Sequence, residues 1–444
     1  MQLPNILLSL RQMCLSKFAI AMVNDPDVKT FTSTHSIHSC IWSSEEIEVF
    51  LGGRRAISLI DTHVHESYSN RLKLSFFIYK YQGDGEYHSL SNKQWEILFG
   101  QKISALPLPD IFKKEIAPLV KLVLIESYKW LYDHKTIIKS TTNLQHHFHW
   151  TNDIKIDRQK TAKAIIADNN IHIKDRFMVA SYYCFQEDVL PIWGILDDAQ
   201  QYFFEKSNFI IPRKWANWAR NGAELDWEEM ARNSNGDGFG LRTYLPKLEQ
   251  EKRLQYLMIR YPLGVWIDYN DLQFCLSILD PGQQKELFKK CPLQVLQVFL
   301  DWPAQEKLLD AVEFLWPYLS EKNCCDFFKV ILFHKRMLDW IGYDYVTLVK
   351  KLWKKVPVEF RKFIEKDEIF NTLKFILEYE GYRLSSHELR VHFDGNIFIA
   401  FHSGSTVFVI SENNSYKITD LLVNFCGVGF LYRRINVRCL LAFQ

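Results

Sequence analysis

Histidines at alternate or adjacent positions are the first residues in this chain whose types and spacing could do chemistry. The stretch Ser58 to Ser67, SLIDTHVHES, runs an apolar segment into His63-Val64-His65. Alternate residues of a strand project to one face, so two imidazoles at this spacing can reach one ion. The chemistry would be metal-dependent hydrolysis. A barrel hydrolase needs further ligands at the ends of later strands, within an alternating β/α chain of about 250 residues. The chain beyond His65 is instead mostly helical in pattern, and Asp394 and His402 sit in what reads as a hairpin. His63 and His65 are therefore expected on an exposed strand or loop, without a metal.

The His-x-His strand resembles the first metal-binding strand of the amidohydrolase barrels, and the likeness ends there. A second cluster, HHFHW, holds His146, His147 and His149 but shows no companion Cys or carboxylate at zinc spacing. It reads as surface histidines beside Trp150. Asn233 to Tyr244, NSNGDGFGLRTY, imitates a calcium loop with Asn233, Asn235, Asp237 and Gly238. It fails at the first position, which is not Asp, and at the twelfth, where Tyr244 replaces the bidentate Glu. A polar loop between helices is the expectation. No P-loop and no strand-linked GxGxxG occurs, and no Ser-His-Asp or Cys-His signature is local. Lys289-Lys290 and Lys354-Lys355 read as solvated helix faces. The expectation is no catalysis, no metal and no cofactor.

Composition points the same way. Of 444 residues, 48% are hydrophobic and 15% aromatic, enough for a sizeable core, while only 18 are Gly and 14 Pro. A net charge of +2 implies neither nucleic acid nor membrane as the main partner. Nine cysteines, with Cys324-Cys325 adjacent and no CxxC, fit no closed disulfide framework and suggest reduced thiols. The N-terminus makes a poor signal peptide, and no uncharged apolar run approaches the roughly 20 residues of a membrane span. A cytoplasmic protein is expected.

Residues 5–24 carry the pattern of one amphipathic helix, between Pro4 and the stop signal Asn24-Asp25. Residues 27–90 are Ser-, His- and Gly-containing with no sustained period. Helical patterning dominates from 95 to 380. Arg390 to Ile418 alternates β-branched and aromatic runs with turn signals, and predicts a small antiparallel meander. Within the helical part, ILDDAQQYFFEK at 195–206 matches ILDPGQQKELFKK at 278–290, and YLSEKNCCDFFKV at 318–330 continues the pattern. Trp193, Trp316 and Trp353 each stand three residues before Leu196, Leu319 and Val356. These intervals predict helical hairpins of about 40 residues, in the range of α-solenoid repeats.

On the first helix, Leu10, Cys14 and Phe18 fall at i, i+4 and i+8 and form one stripe. Taken alone, the stripe fits an ordinary core-facing surface. Leu106-Pro107-Leu108-Pro109 forms a stiff strut, expected to be extended with two leucines projecting, ahead of a helix capped by Asp110.

Ser9-Leu10, Cys14 and Phe18 resemble the elongin-binding helix of the SOCS box: a small residue, Leu, and then Cys and an apolar residue at four-residue steps. The LPLP strut resembles that family's second element, a Leu-Pro-apolar-Pro motif before a helix that contacts a cullin. SOCS boxes usually lie at the C-terminus and keep the two motifs closer than the roughly 85 residues separating them here. The chain is also similar to a large family of spider proteins that join such an N-terminal box to helical repeats.

The resulting fold expectation is mainly α: a helical-repeat, α-solenoid-like array with an N-terminal helical module and a small C-terminal β-meander. Residues 1–120 would form the SOCS-box-like module with an irregular insertion over about 27–90, 121–385 the repeats, and 386–444 the β-rich segment. The resemblance implies a substrate-recognition subunit of a cullin–RING ubiquitin ligase. Leu10, Cys14 and Phe18 would grip elongin C of the elongin B/C pair, Leu106, Pro107, Leu108 and Pro109 would contact the cullin, and the repeats would select a target protein. Two rival readings are a helical scaffold without a ligase role, whose first helix caps its own core, and the metal hydrolase built on His63 and His65.

Overall fold

A computed structural model describes residues 3–51, 58–68, 74–82, 90–139, 144–234, 239–260, 268–338, 344–381, 384, 398–403 and 406–411, over the strands and a few helix ends by their backbone alone. These residues are mainly helical.

The first helix, α1 (Leu10–Val23), starts later than the apolar pattern suggests. Ser9 and Gln12 form a capping box: the Gln12 N–H donates to Ser9 Oγ at 3.2 Å, and the Ser9 N–H to Gln12 Oε1 at 2.9 Å. That reciprocal pair fixes the helix start at Leu10. Residues 3–9 have no regular structure and run across the body, where the Ile6 N–H donates to the Tyr269 hydroxyl at 3.1 Å. At the other end Asn24 caps α1, and Asp25 opens α2 (Pro26–Thr34) with Pro26 as its first residue.

The segment expected to be irregular forms helices over part of its length: α2, α3 (His38–Ile41) and α4 (Ser44–Leu51). Helices this short are marginal alone. Their partner is α5 (Ser91–Ser104), where Asn92 donates to the carbonyls of His38 and Trp42, and Glu96 accepts from the Ser44 N–H and hydroxyl. Phe31 packs on Trp95 at 5.6 Å between ring centroids. Because tertiary contacts stabilise these turns, no sequence period announces them. Next, α6 (Asp110–His134) runs unbroken past residue 120, so the N-terminal region and the body share a helix.

Four strands are described: β1 (Ser58–Tyr68), β2 (Leu74–Gln82), β3 (Phe398–Ser403) and β4 (Thr406–Ser411), in the order β1-β2-β4-β3. β1 and β2 pair antiparallel, as do β3 and β4, and β2 runs parallel to β4. A self-contained C-terminal meander is therefore not supported. Two strands alone leave unpaired edges and are marginal in water; here they meet the strands of 58–82 instead. The rest of Arg390–Ile418, Asp394 included, lies outside the described residues.

The body continues through α7 (Arg158–Ala167), α8 (Ile173–Tyr182), α9 (Gln186–Ile195), α10 (Asp198–Glu205), α11 (Ile210–Asn221), α12 (Trp227–Asn233), α13 (Leu241–Tyr244) and α14 (Gln250–Arg260). It proceeds with α15 (Tyr269–Ile278), α16 (Pro281–Lys290), α17 (Pro292–Val298), α18 (Leu308–Leu315), α19 (Glu321–Leu338), α20 (Tyr345–Lys355), α21 (Val358–Ile364) and α22 (Ile369–Glu378). Phe177, Phe204, Trp215 and Phe328 are among the side chains wholly enclosed by these helices.

The internal sequence match has a local structural counterpart. Asp197 with Gln200 and Asp280 with Gln283 make capping boxes at the heads of α10 and α16. One residue on, Gln201 donates to the carbonyls of Trp193 and Leu196, and Gln284 to those of Leu276 and Leu279. Leu319 and Val356 return their N–H groups to the carbonyls of Trp316 and Trp353, as Leu196 does to Trp193. Each of these breaks turns an apolar residue inward, since Leu196, Leu279, Leu319 and Val356 are all buried.

Candidate docking face on the first helix

The two sides of α1 are both apolar but differ in what covers them. Leu15, Ala19, Met22 and Val23 are buried, packed against α6 and α2. Turned away from that contact, Leu10 is 73% exposed and Cys14 is exposed as well, while Phe18 is half-buried at the margin. A helix apolar on both sides is ordinarily buried all round. Here Leu10 and Cys14 face outward, while Phe18, third in the stripe, packs partly against the core.

Polar contacts pin α1 along its length. Arg11 pairs with Glu115 of α6, and its guanidinium lies 5.0 Å from the centre of the Phe112 ring. Gln12 Nε2 donates to Glu306 at 3.2 Å, which holds the same turn to the body. Beyond the C-terminal end, Lys102 of α5 bridges Asp25 at 2.8 Å and Asp27 at 2.6 Å. The hydrogen bond from Lys102 holds the Asp25 carboxyl below its ordinary range. The outward stripe thus sits on a frame shared with α5 and α6.

The strut joins those same two helices. Its backbone is bent, because the Leu108 N–H donates to the Leu106 carbonyl at 2.8 Å and closes a three-residue turn around Pro107. That turn tips Leu106 and Leu108 against the core, where both are half-buried, and leaves Pro107 and Pro109 exposed. The expectation of two freely projecting leucines is corrected accordingly. Asp110 is the first helical residue and Pro109 occupies the cap position. Lys113 reaches back across the strut to the Ser104 carbonyl at 2.9 Å, and Ile111, next to the strut, is 60% exposed.

The other sequence candidates separate. His63 and His65 lie on β1, opposite Phe77 in the first case, and their side chains fall outside the described residues. His402 is on β3 opposite Val407, again by its backbone alone. In the imitation calcium loop, Asn233 donates to the Glu229 carbonyl and caps its own helix, whereas 235–238 are outside the described residues. Tyr244, where calcium would need a carboxylate, is buried and bonded through its hydroxyl to Tyr256 at 2.7 Å.

The histidines of HHFHW behave differently. His146 and His147 lie on a 3-10 turn, Leu144–His147, and Asp168 at the end of α7 comes to them. The missing carboxylate is supplied by the fold, from a position no zinc spacing would nominate. Burial, and then the neighbouring His146, push the His147 imidazole below its ordinary range against the pull of Asp168. Asp168 is itself lowered, chiefly by the Asn170 N–H.

Comparison with known proteins returns no match for this chain, whether among family models, curated proteins or solved structures.

Proposed function

We propose that the chain is a non-catalytic adaptor that recruits elongin B/C through α1 and a cullin through the strut at the head of α6, and offers its helical body, an α-solenoid-like array, to a protein marked for degradation. The observation that carries this reading is the exposure of Leu10 and Cys14 on a helix whose other face is sealed. A scaffold whose first helix merely capped its own core would bury that stripe. Here it is free to enter a partner's pocket without local opening.

The energetics suit such a contact. Full burial of a leucine contributes about 1.5–3 kcal/mol, and a few anchors of this kind dominate an interface. Cysteine acts there as a small hydrophobe that lets the helix lie close. The frame made by Arg11–Glu115 and Lys102–Asp25 pre-orders the surface, so less entropy is lost on docking. An adaptor performs no bond chemistry; tethering raises the effective concentration of target lysines near the charged conjugating enzyme.

The test is capture of elongins B and C on the purified chain beside a Leu10→Ala/Cys14→Ala variant. Both substitutions are on the surface, so the variant should fold, as circular dichroism would verify. Binding that the variant loses by about 10–100-fold supports the ligase role. A folded wild-type chain that captures neither elongin overturns it.

A further inference from the structure

Two imidazoles converge on a single carboxylate oxygen at the turn before α7. His147 Nε2 lies 3.2 Å and His146 Nε2 4.0 Å from the same atom, Asp168 Oδ2. One ligand atom from each of the three residues lies within 4.8 Å of the other two. A tetrahedral zinc ion with bonds of 2.0–2.2 Å separates neighbouring ligands by about 3.3–3.6 Å. The His147–Asp168 pair is already close to that spacing. The His146 side chain is 57% exposed and can close the remaining gap by rotating.

The contacts around Asp168 favour an ion over a plain ion pair. Asp168 Oδ1 accepts from both the backbone N–H and the side-chain amide of Asn170, each at 2.9 Å. This fixes the carboxylate and leaves Oδ2 aimed at the imidazoles, as outer partners of metal ligands do. His147 Nε2 is buried against Asp168 Oδ2 at 3.2 Å, a pair poorly aligned for a hydrogen bond. An ion held between Nε2 and Oδ2 would take a lone pair from each.

We propose that His146, His147 and Asp168 bind one divalent transition-metal ion of the zinc class, with water or a partner's side chain as fourth ligand. The ion ties the Leu144–His147 turn to the end of α7 and stiffens that corner of the body. His63 and His65 take no part. This inference is independent of the adaptor role.

Titration of the reduced, metal-free full chain with zinc chloride in a calorimeter tests it. One zinc per chain is expected. Binding should weaken at least about tenfold in His146→Ala/His147→Ala and in Asp168→Asn, and by up to about tenfold in Asn170→Ala. His63→Ala/His65→Ala should bind as the unmodified chain does. His146→Ala alone, on an exposed side chain, keeps the test valid should the double variant fail to fold. Cobalt in place of zinc should give tetrahedral d–d absorption without a thiolate charge-transfer band. Absence of stoichiometric zinc, zinc affinity unchanged in the folded His146 variants, or a thiolate band would each overturn the proposal.

Discussion

His134 shows what the interior does to one side chain. It stacks on Trp130 with ring centroids 3.6 Å apart, its Nδ1 is 2.6 Å from the Trp130 carbonyl, and its Nε2 is 2.8 Å from the Tyr183 hydroxyl. A carbonyl only accepts, so Nδ1 carries the proton and Nε2 accepts from Tyr183. The ring is neutral. Burial and the nearby Arg158 push its pKa well below the ordinary value. The unfolded chain takes up this proton near pH 6.5 and the folded chain does not, so stability is lost as pH falls below 6.5. The slope contributed is up to about 1.4 kcal/mol per pH unit. Denaturant midpoints between pH 7.5 and 5 should fall more shallowly in His134→Gln than in the unmodified chain. On α1 the contrast is between faces: Leu10→Ala should change stability by no more than about 0.5 kcal/mol. Leu15→Ala, on the covered side, should cost about 2–4 kcal/mol, read from urea unfolding.

The two helix starts expected from sequence both shifted, α1 to Leu10 and the cap of α6 to Pro109, yet other starts carry a local signal. The capping boxes Asp197/Gln200 and Asp280/Gln283 span three residues each, so they are open to reading from the QQ motif they precede. Asp197→Ala and Asp280→Ala should each cost about 1 kcal/mol. Gln284→Ala should cost a similar amount, because it strips partners from the Leu276 and Leu279 carbonyls. Urea unfolding of the three variants checks this. Agreement fails where an element is held by distant partners. The helices α2–α4 have no period to find and rest on Asn92, Trp95 and Glu96, some 50 residues away. The strut reads as extended because proline disfavours helix, yet its single Leu108–Leu106 hydrogen bond bends it.

Across the whole molecule, the N-terminal segment works as a strap. The Tyr269 hydroxyl lies 3.1 Å from the Pro4 carbonyl and accepts from Ile6 at the same distance. Asn152 and Glu306 meet Met13 and Gln12 on the adjoining turn of α1. Helix α1 is thereby seated on the body and not merely tethered to it. Tyr269→Phe removes the strap's hydrogen bonds while leaving the α1–α6 packing alone. Hydrogen exchange should speed up over residues 3–9 and stay slow at Ala19 and Met22. Comparable acceleration throughout α1 would show that the strap, and not burial against α6, holds the helix.

The sequence by itself determined what short-range chemistry determines: the stop of α1 at Asn24-Asp25, the helical body, and the register that puts Leu10, Cys14 and Phe18 in one row, though it placed the start of α1 five residues early. These depend on partners three or four residues apart. Which row of α1 would meet water was a different matter, because Leu15, Ala19 and Met22 are as apolar as the row that stays exposed, and only the presence of α6 chooses between them. The same holds for Asp168, which lies 21 residues beyond His147 and reaches it only because α7 packs against the Leu144–His147 turn. Burial and convergence are properties of what packs against a residue, and that is settled by the folded chain.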